Sequence, residues 1–96
     1  MAYYVAEYVF TTDKRHLEVR PTHREYLARL QKEGRLALCG PWTSDIGGLL
    51  VFRADHEAEA REMVEQDPYS KAAVLSDIRI TQWNPVLGDL AEHLQG

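Results

Sequence analysis

The order of its secondary-structure patterns most constrains how this chain can fold. Four segments are rich in β-branched, aromatic and other apolar residues and predict strands, and two longer segments repeat their apolar residues at helical spacing. The predicted strands cover residues 2–10, 36–40, 48–54 and about 73–83, and the predicted helices cover 20–34 and 55–67. The pattern therefore reads strand, helix, strand, strand, helix, strand.

That order predicts an α+β fold, the ferredoxin-like βαββαβ sandwich, in which two helices cover one face of a four-stranded antiparallel sheet. In the first strand, apolar side chains occupy both alternating sets: Tyr3, Val5 and Val9 on one, and Tyr4, Ala6, Tyr8 and Phe10 on the other. Two helices cannot cover both faces, and a large naked apolar face is rare on a soluble monomer. We therefore predict a homodimer formed by sheet stacking.

Helix-end signals set the boundaries of the predicted helices. For the first helix, Pro21 suits an opening turn, Thr22-His23-Arg24-Glu25 has capping-box spacing, and Gly34 suits a left-handed C-terminal cap. For the second, Asp55 is a good N-cap and Pro68 ends the helix. A further short helix is predicted over residues 88–94.

Composition bounds the protein class. A chain of 96 residues with 45% apolar content fits one domain over 1–96, with a short extension from about residue 85. The formal charge of −4, with both signs interspersed, predicts no nucleic-acid partner and no membrane partner. Without a leader pattern or a long apolar run, the sequence predicts a cytoplasmic protein. The lone Cys39, in the strand-like run 36–39, is predicted to lie in the core.

Two ionisable residues stand out because each lies on the apolar stripe of its own helix. His23 aligns with Leu27 and Leu30, and Asp67 aligns with Met63 and Val64. If both helices pack on one sheet, the two side chains can meet. A histidine held by a carboxylate at its second ring nitrogen is a group that transfers protons near neutral pH, so the pair is a candidate catalytic dyad.

The predicted helix ends add an electrostatic argument. Asp67 at a helix C-terminus needs a cation or donor, whereas His23 in a first helical turn prefers to be neutral, which suits a base. Arg20, together with free backbone N–H groups at the helix start, could hold a carboxylate or phenolate. The alternative is structural: His23 and Asp67 form a polar plug beneath the helices, and Arg20 is a solvated helix-start residue.

Other candidate binding residues carry similar alternatives. Tyr69 either seals the helix end or donates a proton, and Trp42 either stacks on a planar ligand or packs at a dimer interface. Trp83 is predicted to lie in the core or an interface. Glycines 40, 47 and 48 allow either close approach of a ligand or tight backbone geometry.

No cofactor and no metal are predicted. The histidines at 16, 23, 56 and 93 lack ligand spacing, and the chain has neither a phosphate-binding glycine loop nor a dinucleotide motif. A Ser44-His23-Asp67 triad can be drawn, but no strained elbow places Ser44 for attack.

A set of short motifs resembles the YciI-like (YCII-related) family across nearly the whole domain. The matching runs are Arg20-Pro21-Thr22-His23, Gly34-Arg35-Leu36, Gly40-Pro41, Asp67-Pro68-Tyr69 and Trp83. The resemblance implies a dimeric α+β barrel and an active-site pair at His23 and Asp67. One relative is similar to a dehydrochlorinase, and muconolactone isomerases share a similar barrel. Where many relatives have Ala-Gly, this chain has Ala72-Ala73, so a methyl group could alter the pocket.

These observations lead to one functional prediction and two alternatives. The chain is predicted to be a small cofactor-independent lyase or isomerase, in which His23 moves a proton on a small cyclic or aromatic acid and Asp67 orients that histidine. The substrate-binding set is predicted to be Arg20, Gly40, Trp42 and Tyr69. The alternatives are a dimeric module that binds a small molecule without chemistry, and a cofactor-free monooxygenase on the same barrel.

Overall fold

A computed structural model describes residues 1–94. Its elements are β1 (Ala2–Phe10), α1 (His16–Lys32), β2 (Leu36–Pro41), β3 (Gly47–Ala54), α2 (Glu57–Gln66), α3 (Pro68–Lys71), β4 (Leu75–Trp83) and α4 (Ala91–Leu94). Among residues 1–94, no helix has the length and apolar content needed to cross a membrane.

The four strands form one antiparallel sheet in the order β2-β3-β1-β4. The central strand β1 pairs with both β3 and β4, so that Val5 lies opposite Val51 on one side and Thr81 on the other. This is the strand order of the ferredoxin-like sandwich, and the predicted fold class is confirmed.

The core lies between the helices and one face of the sheet. Because residues directly opposite each other in antiparallel strands share a face, Tyr4 and Ala6 of β1 lie on the same side as Phe52 and Leu50 of β3. The helices complete this core with buried apolar side chains: Leu27, Leu30, Ala60, Met63 and Val64. Burying a leucine, methionine or valine side chain contributes roughly 1.5–3 kcal/mol.

Helix α1 begins earlier than predicted. It starts at His16, so Pro21 lies inside the helix and the predicted capping box at Thr22 is wrong. The reason is tertiary: the His16 ring stacks on Phe10 with centroids 3.9 Å apart, which holds the extra turn against the core. The C-terminal prediction is confirmed, because Gly34 adopts φ +75° just beyond the helix.

The second helical region also differs from its prediction. Helix α2 has His56 rather than Asp55 at its N-cap. It ends at Gln66, because Asp67 turns to extended backbone with ψ 132°. Pro68 then opens the short helix α3 instead of merely stopping α2.

The second face of the sheet is less uniformly apolar than the alternation in β1 and β3 indicated. By register, Val5, Val51 and Leu38 lie on this face, but β4 contributes Asp77, Arg79 and Thr81. We call this surface the open face. The segment after β4 lies at one end of it, where Arg53 Nη2 donates to the carbonyl oxygen of His93 at 3.4 Å. Homodimerisation through the open face stays a prediction.

Two residues are exposed in the described chain: Cys39, predicted to lie in the core, and Trp83, predicted to lie in the core or an interface. Trp83 is 45% exposed, which leaves the interface as the remaining prediction for it. Cys39 is also exposed. By register it shares the helix-facing side of the sheet with Leu50, but it lies on the edge strand β2. The helices leave this edge uncovered, and a cavity lies there.

Candidate active site

The centre of the site is the carboxylate of Asp67, which is fully buried. Three donors surround it. His23 Nδ1 lies 2.8 Å from Oδ1, the Tyr8 hydroxyl donates to Oδ2 at 3.0 Å, and the Tyr69 backbone N–H donates to Oδ1 at 2.9 Å. A buried carboxylate is tolerated when its oxygens are bonded in this way.

Local sequence explains how Asp67 comes to face inward. The Asp-Pro pair joins α2 to α3: Pro68 cannot donate a backbone hydrogen bond, and the next free N–H, that of Tyr69, bonds back to the Asp67 side chain. The turn therefore holds the carboxylate by a local hydrogen bond that does not involve α1. The prediction that Asp67 lies at the C-terminus of a helix is correct, but the following turn supplies a donor that the sequence reasoning did not include.

His23 reaches the carboxylate from the inward stripe of α1. Its imidazole is stacked on the Tyr69 ring, with centroids 3.8 Å apart and an interplanar angle of 18°. Because α1 starts at His16, His23 lies well beyond the first turn, so the predicted helix-dipole effect on it is wrong. The prediction of free backbone N–H groups at a helix start beside Arg20 is likewise wrong, because Arg20 lies in the second turn of α1.

A cavity of about 170 Å³ opens beside His23. Its wall combines β1, α1, β2, β3 and α3: Tyr8, Phe10, Arg20, His23, Arg24, Leu27, Cys39, Gly40, Pro41, Gly48, Leu49, Leu50 and Tyr69. With Nδ1 bonded to Asp67, the remaining ring nitrogen of His23 is Nε2, which has no hydrogen-bond partner among residues 1–94. An apolar cavity of about 150 Å³ admits benzene, so this cavity has room for a single ring.

Arg20 lies in the cavity wall but is already engaged. Its Nε donates to the Tyr69 hydroxyl at 3.1 Å and its Nη2 donates to Asp45 Oδ1 at 2.6 Å. These two contacts raise the pKa of Arg20 further, and the bond from Arg20 lowers the pKa of Asp45. Arg20 therefore positions Tyr69, whose ring in turn supports His23.

The loop between β2 and β3 is bonded to two elements of the site, α1 and β1. Asp45, at φ +59°, joins it to α1 through Arg20 and through His16 Nε2, 3.5 Å from Oδ2. The loop also bonds to β1, where Phe10 N–H donates to the Ile46 carbonyl at 2.9 Å. Trp42, predicted to bind substrate, is 42% exposed and is not part of the cavity wall that residues 1–94 form.

Sequence reasoning missed Tyr8 and Arg24 as site residues. Tyr8 is a core residue on the helix-facing side of β1, and its hydroxyl reaches the carboxylate. Burial and the neighbouring Asp67 carboxylate raise the pKa of Tyr8 far above its ordinary value, so its hydroxyl stays a donor. The alternation in β1 places Tyr8 with Ala6 and Phe10, which was the available signal.

The sequence offers two explanations for glycines 40, 47 and 48, close approach of a ligand and tight backbone geometry, and the structure separates them. A Cβ at Gly47 would collide with the carbonyl oxygen of Tyr8, and one at Gly48 would lie 2.8 Å from the carbonyl oxygen of Gly40. Tight backbone packing therefore accounts for both. A Cβ at Gly40 itself would meet open space, and Gly40 lies in the cavity wall.

The Ala72-Ala73 pair acts on the backbone rather than on the pocket. Neither residue is among those that line the cavity, and Ala73 adopts φ +56°, in the left-handed region that favours glycine.

Within residues 1–94, no group of three or more His, Cys, Asp or Glu side chains could hold a metal ion.

Comparison with known proteins places this architecture. Residues 1–84 match the YCII-related domain family. The chain belongs to the YCII-related family. A YCII-related chain of Bacillus subtilis (strain 168), the uncharacterised protein YjpA, is 39% identical over 72 residues, which is 75% of this chain and 84% of YjpA.

Two solved structures show the same fold as this YCII-related chain. The 5-chloro-2-hydroxyhydroquinone dehydrochlorinase TftG from Burkholderia phenoliruptrix AC1100, in complex with 2,5-dihydroxybenzoquinone, has a TM-score of 0.74 at 21% identity, over 84% of this chain and 92% of TftG. An antibiotic biosynthesis monooxygenase has a TM-score of 0.61 at 12% identity, over 91% of this chain and all of that protein (100%). At these identities the similarity establishes the fold alone.

Proposed function

We propose that this protein is a small cofactor-independent lyase or isomerase in which His23 transfers a proton on a small cyclic or aromatic acid. One observation carries the proposal. The buried Asp67 carboxylate bonds His23 Nδ1 at 2.8 Å, which leaves Nε2 as the proton-transferring nitrogen of a residue in the cavity wall.

The geometry supports a general base. With the Nδ1 proton donated to Asp67, the neutral imidazole keeps its lone pair on Nε2 and can accept a proton from a bound molecule. The imidazolium so formed would pair with a carboxylate from which water is excluded, where the attraction between charges is stronger than in solvent. Asp67 therefore fixes the tautomer and stabilises the charged form, as in other carboxylate-histidine pairs.

The remaining contacts keep the imidazole in one orientation. The Tyr69 ring covers one face of His23, and Arg20 holds the Tyr69 hydroxyl at 3.1 Å. Tyr8 and the Tyr69 backbone N–H hold the carboxylate. Such second contacts matter because catalytic groups must be held within a fraction of an ångström of the productive geometry.

The size of the cavity and one fold relative support the proposed substrate class. A cavity of about 170 Å³ has room for one ring. TftG, which shares the fold, was solved with 2,5-dihydroxybenzoquinone, itself a single ring. We extend the single-ring class to this chain.

The test is His23→Gln, which keeps polarity and approximate size but removes the ionisable ring. Single-ring keto and hydroxy acids are incubated with the protein in D₂O, and exchange of their carbon-bound protons is followed by NMR. We expect the wild-type protein to catalyse exchange and His23→Gln to reduce the rate by about 100-fold or more, the usual contribution of a general acid–base group.

The same variant separates the alternatives. A binding module that performs no chemistry would bind a ring acid, show no exchange in the wild-type protein and keep its affinity after His23→Gln. If neither binding nor exchange responds and only thermal stability falls, His23 and Asp67 form a structural plug. A cofactor-free monooxygenase, suggested by the fold relative alone, would instead consume dioxygen with the ring substrate.

A further inference from the structure

We infer that Arg24, not Arg20, supplies the positive charge that binds the acidic group of the ring substrate. This inference rests on the proposed function and names the residue that selects an anion at the same site. Arg24 follows His23 directly in α1, is exposed, and lies in the wall of the cavity. Arg24 is therefore accessible both from solvent and from the cavity.

Arg20 is unsuited to this role because its charge is already compensated. The Asp45 carboxylate accepts its Nη2 hydrogen bond at 2.6 Å, and the Tyr69 hydroxyl accepts its Nε hydrogen bond at 3.1 Å. An incoming anion would have to displace Asp45 to obtain the same contact. The loop that carries Asp45 would at the same time lose the shorter of the two contacts that Asp45 makes with α1.

Arg24 differs in this respect from every other arginine in the described chain. The other seven have partners: Arg15 with Asp13, Arg20 with Asp45, Arg29 over the Tyr26 ring, Arg35 with Glu33, Arg53 with the Tyr3 hydroxyl, Arg61 with Glu57 and Arg79 with Asp77. Among residues 1–94, Arg24 has no hydrogen bond, ion pair or ring contact. The positions three and four residues away on α1 carry no acid either.

The charge of the cavity wall also favours an anionic ligand. Within the described chain the wall contains two arginines and His23 but no Asp or Glu side chain. The negative charge of Asp67 is buried and is already bonded to three donors. A ring with an acidic substituent therefore meets the unpaired Arg24 in the cavity wall, together with the buried apolar side chains of Leu27 and Leu50.

The test compares benzoate with its neutral isostere benzamide in NMR titrations of the full chain at low salt. We expect the wild-type protein to prefer benzoate, and Arg24→Gln to weaken benzoate binding about tenfold, the size of one charge-assisted hydrogen bond, while benzamide binding is unchanged. Arg24→Lys should restore part of the preference, because it keeps the charge but not the planar fork. Arg61→Gln, an equal loss of charge on α2 outside the cavity, should change neither affinity.

Unchanged benzoate affinity in Arg24→Gln, or a wild-type protein that does not prefer benzoate, overturns the inference. An equal loss in Arg61→Gln overturns it too, because the effect would then come from net charge. The binding measurement is independent of proton exchange. If proton exchange depends on His23 while Arg24→Gln binds benzoate normally, the inference fails and the proposed function stands. If Arg24→Gln weakens benzoate binding but no proton exchange occurs, the proposed function fails and Arg24 still binds the anion.

Discussion

Tyr69 shows how much of the site depends on a single side chain. Its backbone N–H bonds Asp67, its ring stacks on His23, and its hydroxyl accepts a hydrogen bond from Arg20. From the sequence, Tyr69 was predicted either to seal the helix end or to donate a proton. In the structure Tyr69 is buried and links Asp67, His23 and Arg20 through three different parts of one residue.

At the same scale, Ala73 is expected to strain the backbone. Its φ of +56° is in the left-handed region, which costs a non-glycine residue roughly 1–2 kcal/mol. Ala73→Gly should therefore stabilise the fold by about 0.5–1 kcal/mol, after allowance for the greater entropy of the unfolded glycine chain. The free energy of unfolding in urea measures this change.

Ala72 provides the matched control for Ala73, because its φ of −85° is ordinary helical backbone. Ala72→Gly should lower the free energy of unfolding by about 0.5–1 kcal/mol. Equal effects from the two substitutions would show that the backbone at Ala73 is not strained.

The dyad was visible in the sequence because a histidine and an aspartate interrupted apolar stripes. Tyr8 was harder to find, since a tyrosine in a strand reads as part of the core, and its hydroxyl contact depends on where α2 ends. Arg24 could not be recognised from the sequence as a candidate binding residue, for a different reason. An exposed arginine on a helix carries no signal until the cavity beside it and the partners of the other arginines are known.

At the scale of elements, strand β1 was predicted with its observed bounds, because alternation and β-branched residues agree over its length. The start of α1 was missed. Pro21 looked like a first-turn proline, whereas the helix begins five residues earlier, at a histidine held by ring stacking on Phe10. Such a start depends on a contact between elements, which local patterns do not contain.

The loop before α1 is expected to make stability depend on pH. A hydrogen bond from Thr11 and further bonds from Arg15 lower the pKa of Asp13 from 3.8 to about 2. Because the folded-state value is the lower one, the stabilisation by ionised Asp13 is fully present above pH 3.8 and is lost as the pH falls through about 2.

The Asp13→Asn variant tests this dependence. It should be less stable than the wild-type protein at pH 5, and the gap in urea midpoint should narrow steadily towards pH 2. The contacts are exposed, so 1 M salt should also narrow the gap at pH 5. A gap that is constant from pH 5 to pH 2 would contradict the assignment.

At the scale of the whole molecule, the open face is the surface through which we expect two chains to associate. Its apolar residues include Val5 and Leu38, of which Leu38 is 48% exposed, whereas the neighbouring Val51 is already buried within the chain. Leu38→Glu should therefore convert a dimer into a monomer by placing a charge in the apolar contact. Light scattering after size-exclusion chromatography measures the mass, which for a dimer is twice the 11.0 kDa of the chain.

Leu17→Glu is the control for this experiment. Leu17 is 49% exposed but lies on α1, on the opposite side of the sheet, so this variant should keep the wild-type mass. A wild-type protein that stays at 11.0 kDa at micromolar concentration would contradict dimerisation.

The hydrogen bond between Asp45 and Arg20 connects the loop between β2 and β3 to the His23 ring through two other side chains. One carboxylate on the loop contacts Arg20, Arg20 contacts Tyr69, and Tyr69 supports the imidazole. Swinging that loop outward would break the first link and free the others in turn. The orientation of the His23 ring therefore depends on the position of a loop whose residues 42–46 are not among those that line the cavity.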